Sequence, residues 1–153
     1  MPEFKEILFP VDLSDIAPKI VPYVQTFTET FKARLHLLFA ARVMGQYTGL
    51  YVPTAAVTSF EQSIIEGAHR KLKEFKEENF PTVQRIQLAV RSGDPSEEIL
   101  AYISEQNIDM VVMGTHGRKG LDRVLFGSVA ERVVKLSSAP VFTVNPFRGR
   151  ESA

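Results

Sequence analysis

Five apolar runs, each separated from the next by a helical pattern, constrain this chain more than any other feature of its sequence. The runs are Lys5 to Val11, Arg34 to Ala41, Arg85 to Arg91, Asp109 to Met113 and Val141 to Val144. Most are near-continuous in apolar residues, as ILFPV, LHLLFAA and MVVM show. Strands buried on both faces read this way, and such strands belong to parallel sheets. The stretches between them have crossover length. Ser14 to Phe31 carries Ile16, Ile20, Val24, Phe27 and Phe31 along one face. Roughly Thr58 to Asn79 puts Ile64, Ile65, Ala68, Leu72 and Phe75 inside and charge outside. Pro95 to Gln106 follows, and a fourth helix starts at Gly127 or Ser128. This alternation predicts an α/β fold, a three-layer sandwich formed as a single domain over residues 1–153.

Local signals sharpen some boundaries and blur others. Asp94 is placed as N-cap of the third helix, Pro95 fits its first position, and Glu97 completes a capping box. In the first helix Pro18 suits a first turn if Ala17 caps, but Pro22 then falls inside and is expected to kink or delay the helix. Met44 to Thr58, with two glycines and a proline, reads as a long connection, either functional or mobile. No internal repeat, low-complexity tract or linker is visible.

Composition removes whole classes of function. Lysine plus arginine and aspartate plus glutamate both number 18, so the net charge is zero and supplies no general pull toward nucleic acid or membrane. The absence of cysteine excludes disulfides, thiol chemistry and cysteine-ligated metals. MPEFKEILFPVD lacks the basic start and apolar stretch of a signal peptide, and no segment approaches a membrane span. A cytoplasmic location is the expectation.

Chemistry concentrates between Gly114 and Ser128, GTHGRKGLDRVLFGS. A strand pattern runs into this stretch and a helical pattern, VAERVVKL, leads out of it. Such a loop exposes successive backbone N–H groups, and the following helix adds its positive end, so the two together suit a phosphate. In open parallel sheets ligands lie beyond the carboxyl ends of the strands, where the strand order reverses. If the first and fourth strands are neighbours, the Pro10 to Ser14 loop and the glycine-rich loop face one crevice. The spacing is G-x2-G-x9-G-S, through Gly114, Gly117, Gly127 and Ser128. No Gly-Lys-Ser/Thr closes it, so it is not a Walker A motif, and no G-x-G follows the first strand as in a dinucleotide fingerprint.

With VVMGTHGRKGLDRVLFGSVAERVVKLSSAPVFTV around it, this motif resembles that of the universal stress protein family. ILFPVDLSD, LHLLFAARV and RSGDPSEEI fit as well, so the resemblance spans essentially the whole chain. It implies a Rossmann-like, five-stranded parallel sheet in the order 3-2-1-4-5, usually dimeric. Members with the motif bind ATP, while another branch lacks it and does not; the motif is intact here. Carried over to this chain, the resemblance has Gly114, Gly117, Gly127, Ser128 and Val129 offering amides to the phosphates, and Pro10, Val11 and Asp12 lining the adenosine side. The resemblance also sets Ala40 and Met113 beside adenine.

Each assignment has a plainer counterpart. Gly114 and Gly117 suit turns that need positive φ. Ser128 suits an N-cap, which has the same address as a phosphate-binding serine. Asp12 suits a turn; beside a triphosphate it needs a ribose hydroxyl or an indirectly held Mg²⁺, the ion itself being held mainly by the phosphates. Ala40 and Met113 suit the core. Arg118, Lys119 and Arg123 are either solvated surface charge or a basic tip that closes over a triphosphate, and His116 is a phosphate donor candidate. His36 and His69 have no ligand-spaced partner, so no metal site and no catalytic residue is assigned. The uncharged APVFTV edge, Val141 to Val144, is expected to pair two copies as a homodimer. The leading expectation is an ATP-binding stress-response or signalling module with little or no turnover. Its competitors are a slow ATPase or other ATP-using enzyme on the same fold, and a dimeric interaction protein holding AMP, a cyclic nucleotide or nothing.

Overall fold

The computed structural model describes residues 1–42, 54–116 and 127–147. Five strands form one parallel sheet: β1 (Glu6–Pro10), β2 (Arg34–Ala41), β3 (Ile86–Ser92), β4 (Met110–Gly114) and β5 (Val141–Val144). Their order is β3-β2-β1-β4-β5. The helices are α1 (Val21–Phe31), α2 (Thr54–Asn79), α3 (Pro95–Glu105) and α4 (Ser128–Leu136). The expected three-layer sandwich and strand order are both present.

Two apolar layers hold the sheet between its helices. On one face Ile7, Phe9, Leu35, Leu37 and Val112 pack with Val24 of α1 and Leu72 and Phe75 of α2. On the other, Leu8, Leu38, Val111 and Met113 pack with Ile99, Tyr102 and Ile103 of α3 and Ala130 and Val133 of α4. The alternation Ile7/Leu8/Phe9 splits β1 between both layers, all three being fully buried or nearly so. Each such side chain contributes about 1.5–3 kcal/mol relative to exposure. That explains why the central strands read as unbroken apolar runs. β3 and β5 are edges and only half-buried.

The delay expected of Pro22 in the first helix is present. Ser14 to Phe31 is not one helix: a short 3₁₀ turn, Ala17–Lys19, precedes α1, and the chain breaks at Ile20. Pro22 sits in the first turn of α1, where its missing N–H is harmless; in a continuous helix it would have left the carbonyl four residues earlier unpaired. α2 begins at Thr54 rather than Thr58, since TAAV holds no breaker. The rest of the Met44 to Thr58 segment lies outside the described residues. At α3, Asp94 is the N-cap, its Oδ1 accepting from Glu97 N–H at 3.2 Å and Ser96 Oγ at 2.6 Å. The Glu97 carboxylate turns toward Arg132 (3.8 Å). These hydrogen bonds, Ser96 first, and the nearby Arg42 and Arg132 guanidinium groups hold the Asp94 carboxyl below its ordinary range.

Among the described glycines, Gly93 alone has a positive φ, +146°. A Cβ there would also lie 2.7 Å from Glu98 Oε1. Gly114 is therefore not a positive-φ turn glycine. It and Gly127 sit where backbone passes close: a Cβ on Gly127 would lie 3.2 Å from the Thr115 carbonyl oxygen.

Candidate functional site

The site opens where β1 and β4 part. Their register runs only through Ile7↔Met110 and Leu8↔Val111, whereas β1 stays with β2 as far as Pro10↔Leu38. Hydrogen bonds alternate along β1. Glu6 turns its carbonyl to β4, accepting from Asp109 N–H at 2.8 Å. Val11 turns its N–H to β2, donating to Leu38 O at 2.8 Å. By that parity the nitrogen of Pro10 faces β4, and proline has no hydrogen to donate. The strands can separate there without stranding a donor.

Beyond that point lies a cleft of about 1010 Å³ at the carboxyl ends of the strands. Pro10, Val11, Asp12, Ala40, Met113, Gly114, His116, Gly127, Ser128 and Val129 all line it. Gly117 and Arg118 lie outside the described residues, as do Lys119, Asp122 and Arg123. Ten candidates from four separate segments thus share one cavity.

The end near α4 is rich in main-chain donors. Gly127 is the N-cap (φ −64°, ψ 151°) and Ser128 the first helical residue, so Ser128 is not the cap. Gly127 N–H is bound to Thr115 O at 2.7 Å, and Glu131 N–H to Gly127 O at 3.0 Å. The amides of Ser128, Val129 and Ala130 fall between these two bonds, and a glycine cap has no side chain to accept from them. All three residues line the cleft. Among the described residues these first-turn amides find no acceptor, and with the helix dipole they make this end receptive to an anion. His116 also lines the cleft, its Nδ1 2.7 Å from Thr115 Oγ1.

The central floor is shaped by the β1–α1 loop. Asp12 Oδ1 accepts from Ser14 N–H (3.0 Å) and Ser14 Oγ (2.7 Å), so the turn role expected of Asp12 is realised. Leu13 is held between them at φ +57°, an uncommon conformation for a leucine. The carboxylate still lines the cleft, and among the described lining residues it is the only one.

The far wall had not been anticipated. α2 brings Ser63, Ile64, Gly67, Ala68 and Lys71 to the cleft, and Arg42 stands at the end of β2, 3.5 Å from Asp94. Ile64 and Ala68 were expected only as core. Lys71 follows Gly67 by four residues, one turn along the same face, a spacing visible in sequence. What sequence lacked was any sign that this face looks across the sheet ends.

His36 takes no part. It is buried at the opposite end of the sheet, with Nδ1 2.7 Å from Tyr102 Oη and Nε2 bonded to the Glu6 carboxylate. Burial, the dominant influence, pushes the Tyr102 hydroxyl pKa up. Among the described residues no three metal-ligating side chains cluster, and no helix is long and apolar enough to cross a membrane.

The profile of the Universal stress protein family matches residues 3–145. The chain belongs to the universal stress protein family. It is 32% identical over 143 residues to Universal stress protein MJ0531 of Methanocaldococcus jannaschii, covering 92% of this chain and 82% of that one. Among solved structures it resembles protein MJ0577 of the same organism, with a TM-score of 0.81, 26% identity and coverage of 97% and 99%. A universal stress protein family protein from Arabidopsis thaliana, solved with AMP bound, has the same fold at a TM-score of 0.63 and 18% identity, covering 95% of this chain and 93% of that one. The five-stranded parallel sheet of this universal stress protein draws on nearly its whole length, from Glu6 to Val144.

Proposed function

We propose that this universal stress protein binds an adenine nucleotide in the cleft and acts as a nucleotide-dependent stress-response or signalling module with little or no turnover. The observation that carries the reading is the start of α4: a glycine cap with no side-chain acceptor is followed by Ser128, Val129 and Ala130, all three lining the cavity. Their amides receive phosphate oxygens, as do Gly114 and His116. Pro10, Val11 and Asp12 line the ribose side, and Ala40 and Met113 flank the base. The AMP held by the Arabidopsis relative supports the ligand class on this fold.

Within that class the ligand is ATP, since the G-x2-G-x9-G-S spacing is intact. Gly117 and Arg118 complete the loop, and Mg²⁺ is held mainly by the phosphates. Turnover is slow because Asp12, the one carboxylate among the described lining residues, has Oδ1 committed to Ser14. Efficient phosphoryl transfer needs an organised metal and a positioned nucleophile.

The molecule works as a homodimer through β5. Thr115 N–H donates to Val144 O and Val111 N–H to Pro140 O, so even-numbered residues bond to β4 and Val141 and Thr143 point their main-chain groups outward. Antiparallel pairing with the same residues of a second copy satisfies them. Apolar side chains flank that edge on both faces: Phe142 and Tyr23 on one, Val134 and Leu136 on the other.

Calorimetric titration of the full chain with ATP, ADP and AMP in magnesium tests the reading, alongside phosphate-release assays. Saturable heat, tightest for ATP and without steady phosphate release, is expected. Gly127→Ala should weaken binding strongly while the protein still folds, because its Cβ, 3.2 Å from the Thr115 carbonyl oxygen, pushes the start of α4 away from that strand end. Unchanged affinity, or no binding by the parent chain, refutes the site; rapid turnover refutes the module reading.

A further inference from the structure

The chain does not end its contacts at β5. Asn145 Oδ1 accepts from Phe147 N–H at 3.0 Å and turns the backbone after the strand. The Phe147 ring then meets His116 edge-on, with centroids 5.2 Å apart and planes at 77°. Lys19 Nζ lies 5.7 Å from the same ring. Phe147 is 50% exposed, so burial in a core does not account for its position. Main-chain bonds run the same route: Val144 O accepts from Thr115 N–H at 2.9 Å, and Thr115 O from Gly127 N–H at 2.7 Å.

Among the described residues, two contacts hold His116. The Thr115 hydroxyl fixes Nδ1, and Phe147 fixes the ring plane. An anion seated on the α4 amides meets a ring whose orientation the C-terminal segment sets. From this geometry we infer that Phe147 is a positioning residue for His116 and that the Asn145–Phe147 segment senses occupancy of the cleft. The inference rests on the reading of the cleft as an adenine-nucleotide site. Ligand that engages His116 must either keep the edge-on contact or break it, and each alters the surroundings of the ring at position 147. The coupling is reciprocal, so removing the ring must change ligand affinity.

The chain contains no tryptophan, so Phe147→Trp introduces a single indole reporter. Calorimetry on each full-length variant fixes a saturating concentration of Mg-ATP, and emission is then compared with and without it. The emission of F147W should shift on saturation, and the shift should vanish when His116→Ala is added. Phe147→Ala should raise the ATP Kd about two- to ten-fold, the range of one aromatic contact. Phe147→Tyr should restore it, and Phe147→Ala should cost nothing further in a His116→Ala background. An unmoved indole in a variant that binds ATP overturns the inference. So does an unchanged Kd for Phe147→Ala, or a loss that adds to that of His116→Ala. If the parent chain gives no heat with ATP, ADP or AMP, the cleft reading itself fails, a separate outcome.

Discussion

Ser128→Pro separates the main chain of α4 from everything else in the cleft. Ser128 is the first helical residue, the position that tolerates proline best, and its amide has no place in the helix's own hydrogen bonding. The preceding residue must be extended when proline follows, and Gly127 already is, at φ −64° and ψ 151°. The substitution thus fits the folded backbone and narrows the unfolded ensemble, which is worth about 0.4–1 kcal/mol of added stability. What it removes is one N–H aimed at the ligand. A hydrogen bond to a charged group contributes about 1.5–3 kcal/mol, so affinity for ATP should fall about 10- to 150-fold. Ser128→Ala keeps the amide and removes only the hydroxyl, and its loss should be clearly smaller. Titration calorimetry and thermal melts on both variants, at one salt concentration, give the comparison. A proline variant that is as stable as the parent and binds ATP equally well would refute the idea that these amides hold phosphate.

Other parts of the molecule respond in ways that can be measured separately. Gly93→Ala should lower stability by about 1–3 kcal/mol, a fall in Tm on the order of 2 to 10 °C, because φ +146° strains any residue with a Cβ and the Glu98 side chain must also move aside; an unchanged melt contradicts this. The Asp94 carboxyl is held below its ordinary value of 3.8, so its contribution is complete above that value and is lost as pH falls from there through the folded-state pKa. Asp94→Asn retains a capping side chain and should flatten that part of the acid-unfolding curve, while an identical acid limb would show that Asp94 is not the group responsible. Thr143→Pro deletes an outward N–H of β5 without touching the β4 ladder, so sedimentation should report monomers where the parent forms dimers. A persistent dimer would place the interface elsewhere.

Reading the chain as a sequence located what depends on near neighbours. The unbroken apolar run LHLLFAA marked β2, because a strand buried on both faces needs apolar side chains at successive positions, and the short VFTV run opened by Pro140 marked the edge strand β5. The Asp94-Pro95 start of α3 was equally legible, since a cap and its helix lie within four residues. In the first helix the delay expected of Pro22 is present, and only the packed chain shows that the break falls at Ile20. Ser128 was offered as a cap because serine favours that address. The close passage of the Thr115 carbonyl instead selects glycine there.

The spacing of apolar runs thus determined the alternating α/β fold, and the resemblance of its motifs to the universal stress protein family supplied the ten described residues that prove to share a cavity. Tertiary structure decided the rest. It parts β1 from β4 at Pro10, swings Ser63, Gly67 and Lys71 of α2 over the cleft, and brings Phe147 onto His116. Those relations join residues tens of positions apart, and they exist only once the sheet and its two helical layers have fixed where each strand ends.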